Sequence, residues 1–117
     1  MPDRVDLNVL FVCSMNQWRS PTAEKVYADR PFVNVRSRGT NRKANQTIRP
    51  RDLDWADIVI VMEQRHRQRL QNEYPSHLKF KTLFVLDIPD EYQFMDADLI
   101  GQLTTAVDAI LADSSNE

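Results

Sequence analysis

Three short, almost wholly apolar runs, separated by helix-like stretches, restrict this chain more than any other feature. Asn8-Val-Leu-Phe-Val12, Asp57-Ile-Val-Ile-Val-Met62 and Thr82-Leu-Phe-Val-Leu86 carry apolar residues at consecutive rather than alternate positions. Alternation marks a strand with one wet face, whereas an unbroken run marks a strand buried on both. Phe32-Val-Asn-Val-Arg36 is a shorter, weaker run suited to a sheet edge. Ahead of it, Ser20-Pro21 is a helix start, with Ser20 as N-cap, Pro21 in the first helical position and the helix running to about Asp29. A polar helix is expected over about 63–73, with Met62, His66 and Leu70 on one side. A last helix over about 97–111 is capped by Asp96 and striped with Leu99, Leu103, Ala106, Val107 and Ile110. Strands alternating with helices build right-handed βαβ units, so the expected class is α/β: a small four-stranded parallel sheet with helices on both faces. Residues 40–54 form one long Asn-, Arg- and Pro-rich connection with room for a helical turn, and 113–117 a frayed tail. At 117 residues the whole chain is expected to be one domain.

Composition closes several routes. With only Gly39 and Gly101, neither a dinucleotide-binding nor a Walker-type glycine motif can occur. One cysteine, Cys13, excludes an internal disulfide and multi-cysteine zinc, and two histidines are too few for a His-rich centre. No metal and no cofactor is expected. The N-terminal apolar run is too short for a signal peptide, and no stretch approaches the ~20 apolar residues that span a membrane. The expected compartment is therefore the cytoplasm, without a membrane partner. Charge is uneven: 36–51 holds six basic residues and no acid, while 82–117 has no Lys or Arg. The basic stretch reads either as a solvated loop beside an acidic helix or as a rim that attracts an anionic substrate. Nucleic acid is not the expected partner, because the chain is net −2 and lacks basic residues interleaved with aromatics.

The most informative segment is Val12-Cys13-Ser14-Met15-Asn16-Gln17-Trp18-Arg19-Ser20-Pro21. A buried strand ends at Cys13 and a helix begins just after Arg19, so the loop sits at the carboxyl end of a parallel strand, where open α/β sheets bind ligands. Backbone N–H groups at a helix N-terminus make an anion site, and the same field favours the thiolate form of a nucleophile. Arg19 adds a planar fork of donors suited to phosphate. A lone cysteine is most often a small buried hydrophobe and a lone arginine a surface cap. C-x5-R-S-P between a buried strand and a helix start points instead to a nucleophile and an anion clamp in one loop.

Leu10-Phe-Val-Cys-Ser-Met-Asn-Gln-Trp-Arg-Ser-Pro-Thr-Ala-Glu24 resembles the active-site signature of the low-molecular-weight protein tyrosine phosphatases. Val35-Arg-Ser-Arg-Gly-Thr40, Asp54-Trp-Ala-Asp-Ile-Val-Ile-Val-Met62 and Ile88-Pro-Asp-Glu-Tyr92 resemble, in order, that family's S-x-G-T stretch, third strand and [VI]-P-D-P-Y loop. The resemblance covers roughly residues 7–112. It implies a metal-independent phosphomonoester hydrolase, in which Cys13 attacks phosphorus and forms a phosphocysteine. Arg19 and the loop amides from Ser14 through Met15, Asn16, Gln17 and Trp18 to Arg19 hold the phosphoryl oxygens. Asp90 is the implied general acid and base, with Asp87, directly after the fourth strand, as its competitor. Asn16 is implied to hold the loop through the hydroxyls of Ser20 and Ser37, and Tyr92 to flank the substrate ring. Glu63 begins a helix that only borders the site, and His66 reads as a packed or exposed helix residue.

The departures are specific. Met15 stands where the family often has Gly, Trp18 replaces a second loop cysteine, and Glu91 replaces the Pro of D-P-Y. The chain is also shorter between Thr40 and Asp54 and before Ile88. The implied partner is a phosphorylated protein or a small phosphomonoester. The alternatives are a phosphatase of small-molecule or nucleotide phosphates and a non-catalytic phosphate-binding module. An arsenate reductase would need further cysteines, and there are none.

Overall fold

The computed structural model describes residues 6–115. Its elements run β1 (Leu7–Cys13), α1 (Arg19–Tyr27), β2 (Val33–Gly39), α2 (Pro50–Trp55), β3 (Ile58–Val61), α3 (Gln64–Glu73), α4 (Pro75–Leu78), β4 (Thr82–Val85) and α5 (Ala97–Ser115). The four strands form one parallel sheet in the order β2-β1-β3-β4. From β1 the chain crosses outward to β2 and then returns past β1 to β3. The crossing direction thus reverses between β1 and β3, the crevice at which such sheets take ligands beyond the strand ends. Cys13 ends β1, and Glu63 follows β3 by two residues, so both open into that crevice.

The unbroken apolar runs serve both faces of the sheet. Val9, Phe11, Cys13, Ile58, Ile60 and Met62 point to the side covered by α1 and α5, where they pack with Ala23, Tyr27, Leu99, Leu103 and Val107. Leu10, Val12, Val59 and Val61 point to the side of α2, α3 and α4, against Leu53 and Leu70. The Tyr27 hydroxyl donates to Asp108 Oδ1 at 2.7 Å and so ties α1 to α5. Burial and the Asp108 carboxylate both push its phenol up, which keeps it the donor. No helix among the described residues is long and apolar enough to cross a membrane.

Three expectations need correction. The run at Thr82–Leu86 is not buried on both faces: β4 is the second sheet edge and its residues are exposed or half-buried. Helix α1 starts at Arg19, and Trp18 occupies its N-cap position without a side-chain capping bond. Ser20 is therefore not the cap, because its hydroxyl is committed to the loop beside it. Helix α5 extends to Ser115, so 113–115 are helical, and 116–117 of the expected tail lie outside the described residues. The helical turn expected in the long connection is a short helix, α2, with Pro50 in its first turn and Asp52 accepting from the Arg49 N–H.

Candidate active site

The loop from Cys13 to Arg19 is shaped by its own side chains. Asn16 takes a left-handed backbone (φ 53°), which asparagine tolerates better than most residues. Met15 is not among the residues with positive φ, so a side chain where the family often has Gly brings no backbone strain. Asn16 is buried, and its Nδ2 donates to Ser20 Oγ at 3.0 Å and Ser37 Oγ at 2.9 Å. Ser37 Oγ donates in turn to Glu24 Oε1 at 2.5 Å. With Asn16 donating into Ser20, the Ser20 hydrogen can turn to the Cys13 sulfur at 2.9 Å, the Arg38 carbonyl being farther at 3.4 Å. A hydrogen-bonded chain thus runs from Glu24 at one end to the buried thiol at the other.

Arg19 lies 1% exposed, a burial that only full pairing supports. Its Nη1 donates to Glu63 Oε1 at 2.6 Å and to the Ile88 carbonyl at 2.8 Å, fixing one end of the fork. Its Nε lies 3.7 Å from Asp90 Oδ1. Cys13, Met15, Gln17, Trp18, Arg19 and Asp90 line one small cleft. Asp87 has φ 59° and lines a different cleft with Glu63, Gln64, Arg65 and Pro89. Tyr92 packs against the core cluster that contains Cys13 and lines a groove along α5 with Leu86, Ile88 and Gly101, its hydroxyl accepting from Gln102 Nε2 at 2.7 Å.

Glu63 does more than border the site, and this corrects the sequence reading. Besides binding Arg19 it accepts from Arg65 Nη2 at 2.8 Å. Burial pushes its carboxyl up, but the Arg65 and Arg19 hydrogen bonds outweigh that and hold it below the ordinary value. His66 is fully buried, with Nδ1 accepting the Glu63 backbone N–H at 3.0 Å. That bond leaves the proton on Nε2, which donates to Ser14 Oγ at 2.8 Å. Burial first, then the charges of Arg19 and Arg65, lower the His66 pKa to about 4, so the ring is neutral near pH 7. One helix start therefore grips two loop side chains. The sequence signal for it was slight: an acid and a histidine three residues apart, just past a buried strand.

The loop is also held by the segment that follows β2. Thr40, Asn41 and Asn45 N–H groups donate to the Cys13, Ser14 and Met15 carbonyls, each at 3.0 Å. A Cβ at Gly39 would lie 2.6 Å from the Ser14 carbonyl oxygen and 2.9 Å from the Asn16 nitrogen. Only a residue without a side chain lets β2 come this close to the loop.

No family model and no curated protein matches the chain. Solved structures do. The YwlE arginine phosphatase from Geobacillus stearothermophilus aligns with TM-score 0.74 and 18% identity, over 95% of this chain and 97% of its own. The tyrosine phosphatase Wzb from Escherichia coli K30, in complex with phosphate, aligns with TM-score 0.73 and 18% identity, over 91% and 96%. A low-molecular-weight phosphotyrosine phosphatase from Vibrio cholerae O395 aligns with TM-score 0.68 and 22% identity, over 95% and 97%. The fold is that of the low-molecular-weight protein tyrosine phosphatases, and the resemblance read from the sequence holds at that level.

Proposed function

We propose that this chain is a phosphomonoester hydrolase, a protein tyrosine phosphatase in its main reading, acting through a phosphocysteine. The observation that carries this is a single cleft lined by a thiol, a buried arginine and a carboxylate: Cys13, Arg19 and Asp90. The similar structures named above are themselves described as tyrosine and arginine phosphatases, which supports the same chemistry.

In this mechanism the Cys13 thiolate attacks phosphorus, an S–P bond forms, and the P–O bond to the leaving group breaks. Asp90 gives its proton to the departing oxygen. Its carboxylate then takes a proton from water, whose oxygen attacks phosphorus and releases phosphate and the thiolate. The Nε–Nη2 edge of Arg19, left open by the two bonds at Nη1, and the loop amides from Ser14 to Arg19 bind the non-bridging oxygens as charge gathers on them. The Ser20 hydroxyl, donating to the sulfur, stabilises the thiolate as attacking and as leaving group.

The test is hydrolysis of p-nitrophenyl phosphate in the presence of EDTA by wild type, Cys13→Ser and Cys13→Ala. Turnover by wild type alone is expected. Equal inertness of all three, with phosphate still bound, would replace the enzyme with an anion-binding module.

A further inference from the structure

The six basic residues of 36–51 do not form one patch. Arg36 and Arg38 are held by the buried Asp52, at 3.3 Å and 3.2 Å, and Arg36 also stacks on Trp55 with its guanidinium carbon 4.2 Å from the ring centre. Arg42 and Lys43, like Arg49 and Arg51 at the start of α2, are not held in this way. Arg42 and Lys43 are both exposed, and neither enters an ion pair among the described residues.

They occupy the tip of a tight turn, closed by the Ala44 N–H on the Asn41 carbonyl at 3.0 Å and by the Lys43 N–H on Asn41 Oδ1 at 2.8 Å. Both ends of this turn are tied to the Cys13–Arg19 loop. Asn41 binds the Ser14 carbonyl, and Asn45 binds Met15 through its backbone and the Asn16 carbonyl through Nδ2 at 3.0 Å. Two cations thus stand one or two residues from backbone that touches the loop, beside Met15, which lines the cleft. Asp90, which lines the same cleft, and its neighbour Glu91 are exposed, in a part of the chain without Lys or Arg.

We infer that the Asn41–Ala44 turn is a specificity element that selects phosphoproteins bearing acidic residues on one side of the phosphorylated side chain; this rests on the phosphatase reading above. A compact monoester places its one anion in the cleft and leaves Arg42 and Lys43 unpaired. An extended peptide advances about 3.3–3.6 Å per residue, so acids roughly two to four positions from the phosphorylated residue reach the turn. Asp90 and Glu91 repel the same acids, so charge also sets the direction in which the peptide lies.

The experiment compares kcat/KM for phosphotyrosine peptides with alanine flanks, with three acids before the phosphotyrosine and with three acids after it, alongside p-nitrophenyl phosphate. The enzymes are wild type, R42Q/K43Q and R42E/K43E. Wild type should favour one acidic peptide about three- to tenfold over the neutral one, as expected for two exposed charge pairs. The preference should vanish in 1 M salt, where the screening length is about 3 Å. R42Q/K43Q should lose it with p-nitrophenyl phosphate turnover unchanged, and R42E/K43E should disfavour the acidic peptide. A flat peptide profile in wild type, hydrolysis of p-nitrophenyl phosphate but of no peptide, or a preference that survives R42Q/K43Q would each overturn the inference. If wild type fails on p-nitrophenyl phosphate as well, the phosphatase reading itself has failed.

Discussion

Asp87 and Asp90 stand three residues apart on one loop, and position in the chain does little to rank them. Geometry does. Asp90 shares the cleft of the thiol and lies 3.7 Å from Arg19 Nε, whereas Asp87 turns through a left-handed backbone toward Glu63 and Arg65. General acid–base catalysis contributes about 10²–10⁴-fold. Asp90→Asn should therefore lower kcat for a substrate with a poor leaving group by at least about a hundredfold, and p-nitrophenyl phosphate less, because its leaving group needs little protonation. Asp87→Asn should stay within about twofold of wild type. Stopped kinetics on an alkyl and a nitrophenyl phosphate check both, and a larger loss in Asp87→Asn would exchange the two roles. The residues of the loop were legible in the sequence because they are contiguous. Glu63 and His66 were not, because 44 and 52 positions separate them from the Arg19 and Ser14 they hold, and only the β3 crossover brings them together.

At the scale of elements, the two glycines make opposite predictions. Gly39 ends β2 against the loop, and an added Cβ would strike the Ser14 and Asn16 backbone as well as the Ala44 side chain. Gly39→Ala should cost roughly 1–3 kcal/mol of stability, as overpacking does, and lower kcat/KM because the atoms displaced belong to the candidate phosphate loop. Gly101 lies exposed in α5 with nothing within 4 Å of the added carbon, so Gly101→Ala should stabilise by about 1 kcal/mol. Thermal melts and p-nitrophenyl phosphate kinetics on the two variants test both, and parallel behaviour would refute the argument. Most elements were legible, since β1, β3 and α5 bury apolar positions that show in the pattern. The missed details come from competition that a pattern does not carry. Ser20 has the chemistry of a helix cap, but a buried asparagine and a thiol claim its hydroxyl; β4 is apolar enough for a central strand, but no fifth strand among the described residues covers it.

For the molecule as a whole, the buried His66 links the site to global stability. Its ring bridges α3 and the loop only while Nδ1 can accept from Glu63, that is, while it is neutral. The groups around it are the Glu63 carboxylate, which favours protonation, and Arg19 and Arg65, which with burial oppose it and hold the folded pKa at about 4 against 6.5 for the free side chain. Between these values the unfolded chain binds a proton that the folded one refuses, so stability rises with pH across the window and is lost as pH falls through it. The loss amounts to about 3 kcal/mol at its acid end, which for a chain of this size corresponds to roughly 10 °C in Tm. The Glu63 and Asp108 carboxyls, both held below their ordinary values, add their own losses only at lower pH. Melting curves from pH 7.5 to 4 should accordingly show Tm falling through the histidine window before the carboxylates titrate. In His66→Gln the amide keeps a donor for Ser14 and carries no titrating proton, so the slope between pH 6.5 and 4.5 should flatten. An unchanged slope in that variant would mean that another group sets the acid limit of this fold.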